Sequence, residues 1–292
     1  MQNKILIKIK LSLEYFLIYI IYKFVSILPV NQVTNLGGFL FKLIGPLTKT
    51  QKIVRKNYLQ IFPHANEIKI LKESKLSWLN MGKTFFELLI LPRIIADKSK
   101  INLEGSANIA DIINNNEQVV FVGIHESNWE ILLPTIDKLG IGVAGIYRHI
   151  NNSYINKLIL NIRKKSVLSK KSFYTPKGKQ SAKDIISGIK KGLSLVLLID
   201  QKDSAGELIP FFNKLSKTQI GFLKLARKYN MKIIPVRNVR YKNNDFKVKF
   251  YPPLKISKNF SDIETMKIIH LMIEGWIKDC PSSWFLQHNR FS

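Results

Sequence analysis

The segment His125-Glu126-Ser127-Asn128-Trp129-Glu130 follows directly on the apolar run Val119–Ile124. Histidine is the side chain that most often serves as a general base near neutrality. This one leaves the end of a run that reads as a buried strand. In open α/β sheets, reacting groups gather in the crevice outside the carboxyl ends of the strands. A carboxylate, Glu130, comes five residues later. One helical turn on, it would accept a hydrogen bond from one ring nitrogen and fix the tautomer. The other nitrogen would be free to take a proton from a substrate hydroxyl. Such a pair is a base with its orienter, and it needs no protein nucleophile when the substrate supplies one. A hydrogen-bonded structural histidine beside a helix-start carboxylate is the other reading, and on residue type alone both stand. A metal centre fits less well, because the second histidine of H-E-x-x-H is missing. Ser127 is not in a G-x-S-x-G elbow, which argues against a serine hydrolase. The single Cys280 excludes an internal disulfide and a cysteine-based metal cluster. The reading therefore calls for no metal and no cofactor.

The elements that must position these groups follow from patterning. From Ile101 onward, β-type runs alternate with helical stretches. The strand runs are Ile101–Leu103, Gln118–Ile124, Val143–Tyr147, Ser172–Tyr174, Leu193–Ile199, Ile233–Val239 and Phe246–Tyr251. The helical stretches are Ile109–Asn114, Asn128–Leu139, Ser153–Lys164, Ser181–Lys191, Thr218–Tyr229 and Ile263–Asp279. Alternation of this kind predicts an α/β sheet covered by helices on both faces. Residues 51–93 predict two helices around the turn Phe62-Pro63-His64, the second ended by Pro92. Residues 1–50 read as helical and apolar, broken at Gly37-Gly38 and Gly45-Pro46. No repeat, low-complexity tract or linker divides the chain. Residues 1–292 are expected to form one domain with 1–50 as a membrane-association segment.

Within that segment, Leu11–Leu28 is an apolar stretch interrupted only by Glu14 and Lys23, with no small-residue cleavage site after it. As a helix it would extend ~27 Å, slightly short of a hydrocarbon core. Its aromatics are of the interfacial kind. It reads as a helix lying shallowly in a membrane or marginally spanning it, with a buried packing helix as the alternative. The formal charge is +26. That predicts an anionic partner: a membrane surface, nucleic acid, or an acidic carrier or substrate. Arg163–Lys183 holds eight basic residues and no acidic one. It is either a dock for an acidic partner or a solvated face. Asp200 also ends an apolar run, where it either caps the next turn or lines the crevice.

Further blocks stand in order. Tyr147-Arg148 and Asn151-Asn152 follow the histidine segment; Asp200-Gln201 precedes Pro210-Phe211-Phe212; Thr218, Gly221 and Ala226-Arg227 come next; Trp284-Phe285 with His288 and Arg290 closes the chain. Upstream stand Asn57-Tyr58-Leu59, Phe62-Pro63 and an isolated Glu87. In these blocks the chain resembles the bacterial lipid A late acyltransferases, the lauroyl/myristoyl transferase family of the wider glycerolipid acyltransferase superfamily. The His125–Glu130 segment matches that family's H-x-x-N-W-E, within the HX4E motif. The chain departs from the pattern in carrying Ser127 where Gly is frequent, His149 where Pro follows the arginine, and Phe285 where a second Trp is common.

The resemblance implies a mixed central sheet flanked by helices, as in glycerolipid acyltransferases. It implies transfer of a fatty acyl group from an acyl-carrier-protein thioester to a hydroxyl of a lipid A precursor. His125 would be the general base and Glu130 its orienter, with Asn128, Arg148, Asp200 and Gln201 on the substrate. Arg148 would sit near the acceptor headgroup, its planar fork suiting a phosphate. The implied location is the bacterial inner membrane, with the catalytic part facing the cytoplasm where carrier thioesters are found. A glycerophospholipid, glycolipid or aminolipid acceptor is the close alternative. Glycerol-phosphate enzymes of the superfamily usually have Asp at the position of Glu130, which disfavours them. A non-catalytic basic protein binding membrane or nucleic acid is the remote one. No nucleic-acid motif supports it, and no nucleic-acid partner is expected.

Overall fold

In a computed structural model, residues 2–257 and 259–292 are described. Five helices precede the sheet: α1 (Gln2–Ile27), α2 (Val30–Ile44), α3 (Gln51–Ile61), α4 (Glu67–Leu89) and α5 (Leu91–Ala96). There follow β1 (Ile101–Glu104), α6 (Ala110–Asn114), β2 (Val119–Gly123), α7 (Leu132–Lys138), β3 (Val143–Tyr147), α8 (Ser153–Lys165), β4 (Phe173–Pro176), α9 (Lys179–Lys190) and β5 (Ser194–Leu198). The chain ends through β6 (Glu207–Phe211), β7 (Lys214–Thr218), α10 (Gly221–Lys228), β8 (Lys232–Arg240), β9 (Phe246–Phe250) and α11 (Asp262–Asp279).

Among the described residues the main sheet has seven strands in the order β1-β9-β8-β2-β5-β3-β4. All neighbours are parallel except β8 and β9. The sheet is therefore mixed, as expected. Side chains alternate across a strand, and the core divides accordingly. Val120 and Val122 join one cluster with α9, α10 and α11; Val119 and Phe121 join a second with α5, α6, α7 and α8. Both faces of β2 are buried, which is why it reads as an unbroken apolar run rather than an alternating one.

Two expectations change. Gly37-Gly38 does not break the helix: α2 runs through it. A Cβ on Gly37 would lie 2.5 Å from the Gly82 carbonyl oxygen, so these glycines let α2 and α4 cross backbone to backbone. The hairpin β6–β7 was not expected, and Thr218 ends its second strand instead of starting a helix. Pro92 stands at the start of the short α5, where its missing N–H costs nothing.

Helix α1 lies mostly uncovered. Leu6, Leu13, Phe16, Leu17, Ile20, Phe24 and Ile27 form a stripe at helical spacing, each about half exposed or more. Its other side is tied to α8, where the Asn152 amide donates to Glu14 at 3.0 Å and Tyr15 packs on Tyr154. Helix α1 thus packs along one side only, through Val25, Ile21 and Tyr22, and leaves its stripe uncovered in this chain. Among the described residues, no helix is long and apolar enough to cross a membrane.

Candidate active site

Strands β2 and β5 are paired in parallel, with Gly123 beside Leu198. The Ile199 amide then donates to the Gly123 carbonyl at 3.1 Å. The two chains leave the sheet side by side, one to His125 and the other to Asp200. The His125 amide donates to Asp200 Oδ1 at 3.1 Å, and ring Nδ1 lies 2.7 Å from the same oxygen. The other carboxylate oxygen accepts from the Trp284 indole at 2.7 Å.

Asp200 is fully buried. Burial by itself would raise its carboxyl. The facing His125, the hydrogen bond from that ring and the one from Trp284 outweigh burial and hold it below the usual carboxylate range. In the neutral form of the ring, an ionised acceptor opposite Nδ1 places the proton on Nδ1 and leaves Nε2 with a free lone pair. The His125 side chain is 16% exposed, so that lone pair has access to a substrate. The rings of Trp129 and Phe285 lie 5.2 and 6.2 Å from the imidazole and 5.4 Å from each other, an apolar wall beside His125.

Glu130 is not the partner of His125. Both its oxygens accept from Arg163, at 2.7 Å from Nε and 2.6 Å from Nη2. The guanidinium lies between the Tyr147 and Tyr174 rings, 5.4 and 6.0 Å from their centres. The expected contact required a helix starting at the histidine. Instead the chain turns at Ser127, whose φ is +52°, and helical structure begins only at Trp129. Arg163 is thereby removed from the expected basic docking run.

The proposed substrate contacts separate. Asn128 is fully buried, and its amide group is used internally: Nδ2 donates to Glu87 at 3.0 Å, and Oδ1 accepts from the Glu130 amide. It holds the turn and cannot reach a substrate. Asp200 is fully buried, its two oxygens turned to the His125 ring and the Trp284 indole rather than outward to a ligand. Arg148 is exposed on the loop after β3, and Gln201 is half-buried beside Asp200. Both are open to a ligand.

A buried ionic cluster supports the turn from behind. Glu87, fully buried on α4, forms a two-pronged pair with Arg240 of β8, the second contact being 2.8 Å. It also accepts from Thr34 at 2.9 Å. Ser127 is fixed in turn: its hydroxyl accepts from the Arg240 amide at 3.1 Å, its carbonyl from the Thr84 hydroxyl at 2.6 Å, and its own amide donates to Ser283 O at 2.9 Å. A left-handed backbone costs a non-glycine residue ~1 kcal/mol or more. These contacts offset that cost.

A family model for bacterial lipid A biosynthesis acyltransferases matches residues 3–292. The chain belongs to that family. It is accordingly an O-acyltransferase. Curated proteins yield no match. Among solved structures, the 1-acyl-sn-glycerophosphate acyltransferase PlsC from Thermotoga maritima is similar over 87% of this chain and 99% of that one, at 14% identity and a TM-score of 0.39.

The lipid A acyltransferase signature at the carboxyl end has a structural explanation in this chain. Arg290 is fully buried over the Phe211 ring at 4.8 Å and donates to Lys217 O and Thr218 Oγ1 at 2.9 and 2.7 Å. It is a packing residue that closes the hairpin β6–β7 onto the body. His288 Nε2 accepts from the Lys202 amide at 3.0 Å, fixing the loop after Asp200. The parts played by Trp284, Arg240 and Arg163 do not show in the sequence, because each acquires its meaning only from a partner distant in sequence. The signal in the sequence is the identical setting of His125 and Asp200, each directly after an apolar run.

His270 is core, as expected from its apolar helical setting. It is 1% exposed, and its Nδ1–H donates to Pro210 O at 2.6 Å. Burial lowers its pKa to about 4, below the ordinary 6.5. The folded protein therefore holds it neutral where the unfolded chain would protonate it. Its contribution to stability is complete above pH 6.5 and is lost as pH falls towards 4, on the order of 3 kcal/mol in all. Urea denaturation of wild type and His270→Gln between pH 7 and pH 4.5 checks this: the substituted protein should show the weaker pH dependence.

Proposed function

We propose that this acyltransferase moves a fatty acyl group from an acyl-carrier-protein thioester to a hydroxyl of a lipid A precursor, with His125 as general base and Asp200 as its orienter. The observation that carries the reading is the His125–Asp200 contact, which leaves Nε2 unbonded and accessible. Nε2 takes the proton of the acceptor hydroxyl as its oxygen attacks the thioester carbonyl carbon. The C–O bond forms and the carbonyl electrons move onto oxygen. The tetrahedral species then collapses, the C–S bond breaks, and the imidazolium returns its proton to the leaving thiolate. A base so placed contributes ~10²–10⁴ in rate.

Arg148, exposed beyond β3, suits a phosphate of the acceptor. The uncovered stripe of α1 suits the membrane interface, with the catalytic part on the cytoplasmic side of the inner membrane. The net charge of +26 favours both the anionic surface and an acidic carrier.

The test is transfer by purified protein from a defined acyl-carrier thioester, with products identified by mass spectrometry. Acceptors are a lipid A precursor and a panel of glycerophospholipids, glycolipids and aminolipids, each presented in anionic vesicles and in detergent. Acylation of the lipid A precursor is expected; transfer to a glycerophospholipid alone would sink the assignment. Phe16→Glu with Leu17→Glu should slow the vesicle reaction and spare the detergent one. Equal rates in the two formats would contradict the interfacial role of α1.

A further inference from the structure

We propose that Trp284 is a positioning residue for acyl transfer: its indole N–H fixes the Asp200 carboxylate, and through it the tautomer and aim of His125. The inference rests on the reading of His125 as the base. Asp200 meets three donors, two from His125 on Oδ1 and the Trp284 indole on Oδ2. A carboxylate has one torsion about its bond to Cβ. A donor on the far oxygen therefore decides where the near one points. Trp284 is itself immobilised, being 2% exposed.

The same segment also holds the base. Trp284 forms a bridge with Glu126, the Phe285 amide donates to His125 O at 2.9 Å, and the Ser127 amide donates to Ser283 O at 2.9 Å. This three-residue segment thus binds the His125 turn through the backbone of Ser283 and Phe285, and Asp200 through the Trp284 side chain. The choice of side chain matters. Tryptophan is a donor with no acceptor, on a large apolar body. It satisfies a buried carboxylate without offering His125 a competing acceptor. An arginine there would cancel the negative charge that the imidazolium needs during reaction. The other ionisable groups around Asp200 are Glu126, His270, His288 and Arg290. Glu126 is paired with Arg237; burial lowers the pKa of both histidines to about 4. Arg290, fully buried, is bonded to Thr218 and a backbone carbonyl. Arg148 faces the same region through His288.

The experiment replaces Trp284 with benzothienylalanine, in which sulfur stands for the indole N–H and the ring shape is kept. Trp284→Phe is the companion. Without the donor, Asp200 keeps its full charge for the ring, so the acid limb of kcat/KM against pH should move to higher pH. Looser aim should lower kcat about 10-fold, with KM for the carrier thioester unchanged. The Nδ1–H signal of 15N-labelled His125 should shift with it. A purely structural role would lower thermal stability and leave the acid limb and that signal in place, and this result would overturn the proposal. So would an isostere that behaves as wild type. His125→Ala is run alongside: if it still transfers acyl groups, the base reading itself fails, whatever Trp284 does.

Discussion

Asp200→Asn is expected to lower kcat by about 10²–10⁴-fold with little change in folding. The asparagine fills the same space. Its Oδ1 can keep one donor, but its amide nitrogen must then face either the indole N–H or His125. Where it faces the ring, it donates to Nδ1 and moves the imidazole proton to Nε2, the atom that has to accept the substrate's proton. The negative charge that stabilises the imidazolium is lost at the same time. Steady-state kinetics with a lipid acceptor measures the drop, and the imidazole 15N shifts of His125 report the tautomer. Glu130→Gln separates the two carboxylates. It removes the pair with Arg163 but leaves the His125 tautomer as it was, so the 15N shifts should match wild type. Changed shifts for Glu130→Gln and unchanged ones for Asp200→Asn would reverse the assignment.

The largest effect on stability is expected at Glu87. Glu87→Ala leaves the Arg240 guanidinium buried without its carboxylate, and takes acceptors from Thr34 and Asn128. Breaking a buried pair from one side costs about 3–5 kcal/mol. Urea denaturation should therefore show a large fall in the midpoint. Glu87→Leu combined with Arg240→Met removes both charges and should recover most of that loss, since apolar replacement of a whole buried pair is often neutral or better. Activity should not recover with it, because Asn128 has still lost the acceptor that holds the turn at Ser127. A double variant as unstable as Glu87→Ala would show that the pair is not the source of the effect.

The strand runs from Ile101 to Tyr251 were legible because both faces of the central strands are buried, which leaves unbroken apolar stretches bounded by polar ones. The hairpin β6–β7 was not legible. Leu208, Pro210 and Leu215 point outward and Ser216 and Thr218 inward, so its polarity does not alternate as a half-buried pair should. Gly37-Gly38 predicts a break, yet α2 runs through it. Glycine marks a helix end or a close helix crossing equally well, and only the presence of Gly82 opposite decides between them.

The same division runs through the site. Sequence by itself determined that this is an acyltransferase of the lipid A family and that His125 stands at a strand end; motif order and local apolar runs suffice for that. Which carboxylate meets the His125 ring was decided by tertiary structure. Glu130 is near in sequence but follows a turn that sends it to Arg163, whereas Asp200 is distant in sequence and reaches the ring because β5 is hydrogen-bonded beside β2. Strand order, set by how the helices cover both faces of the sheet, is a property of the packed chain, and no spacing along the sequence encodes it.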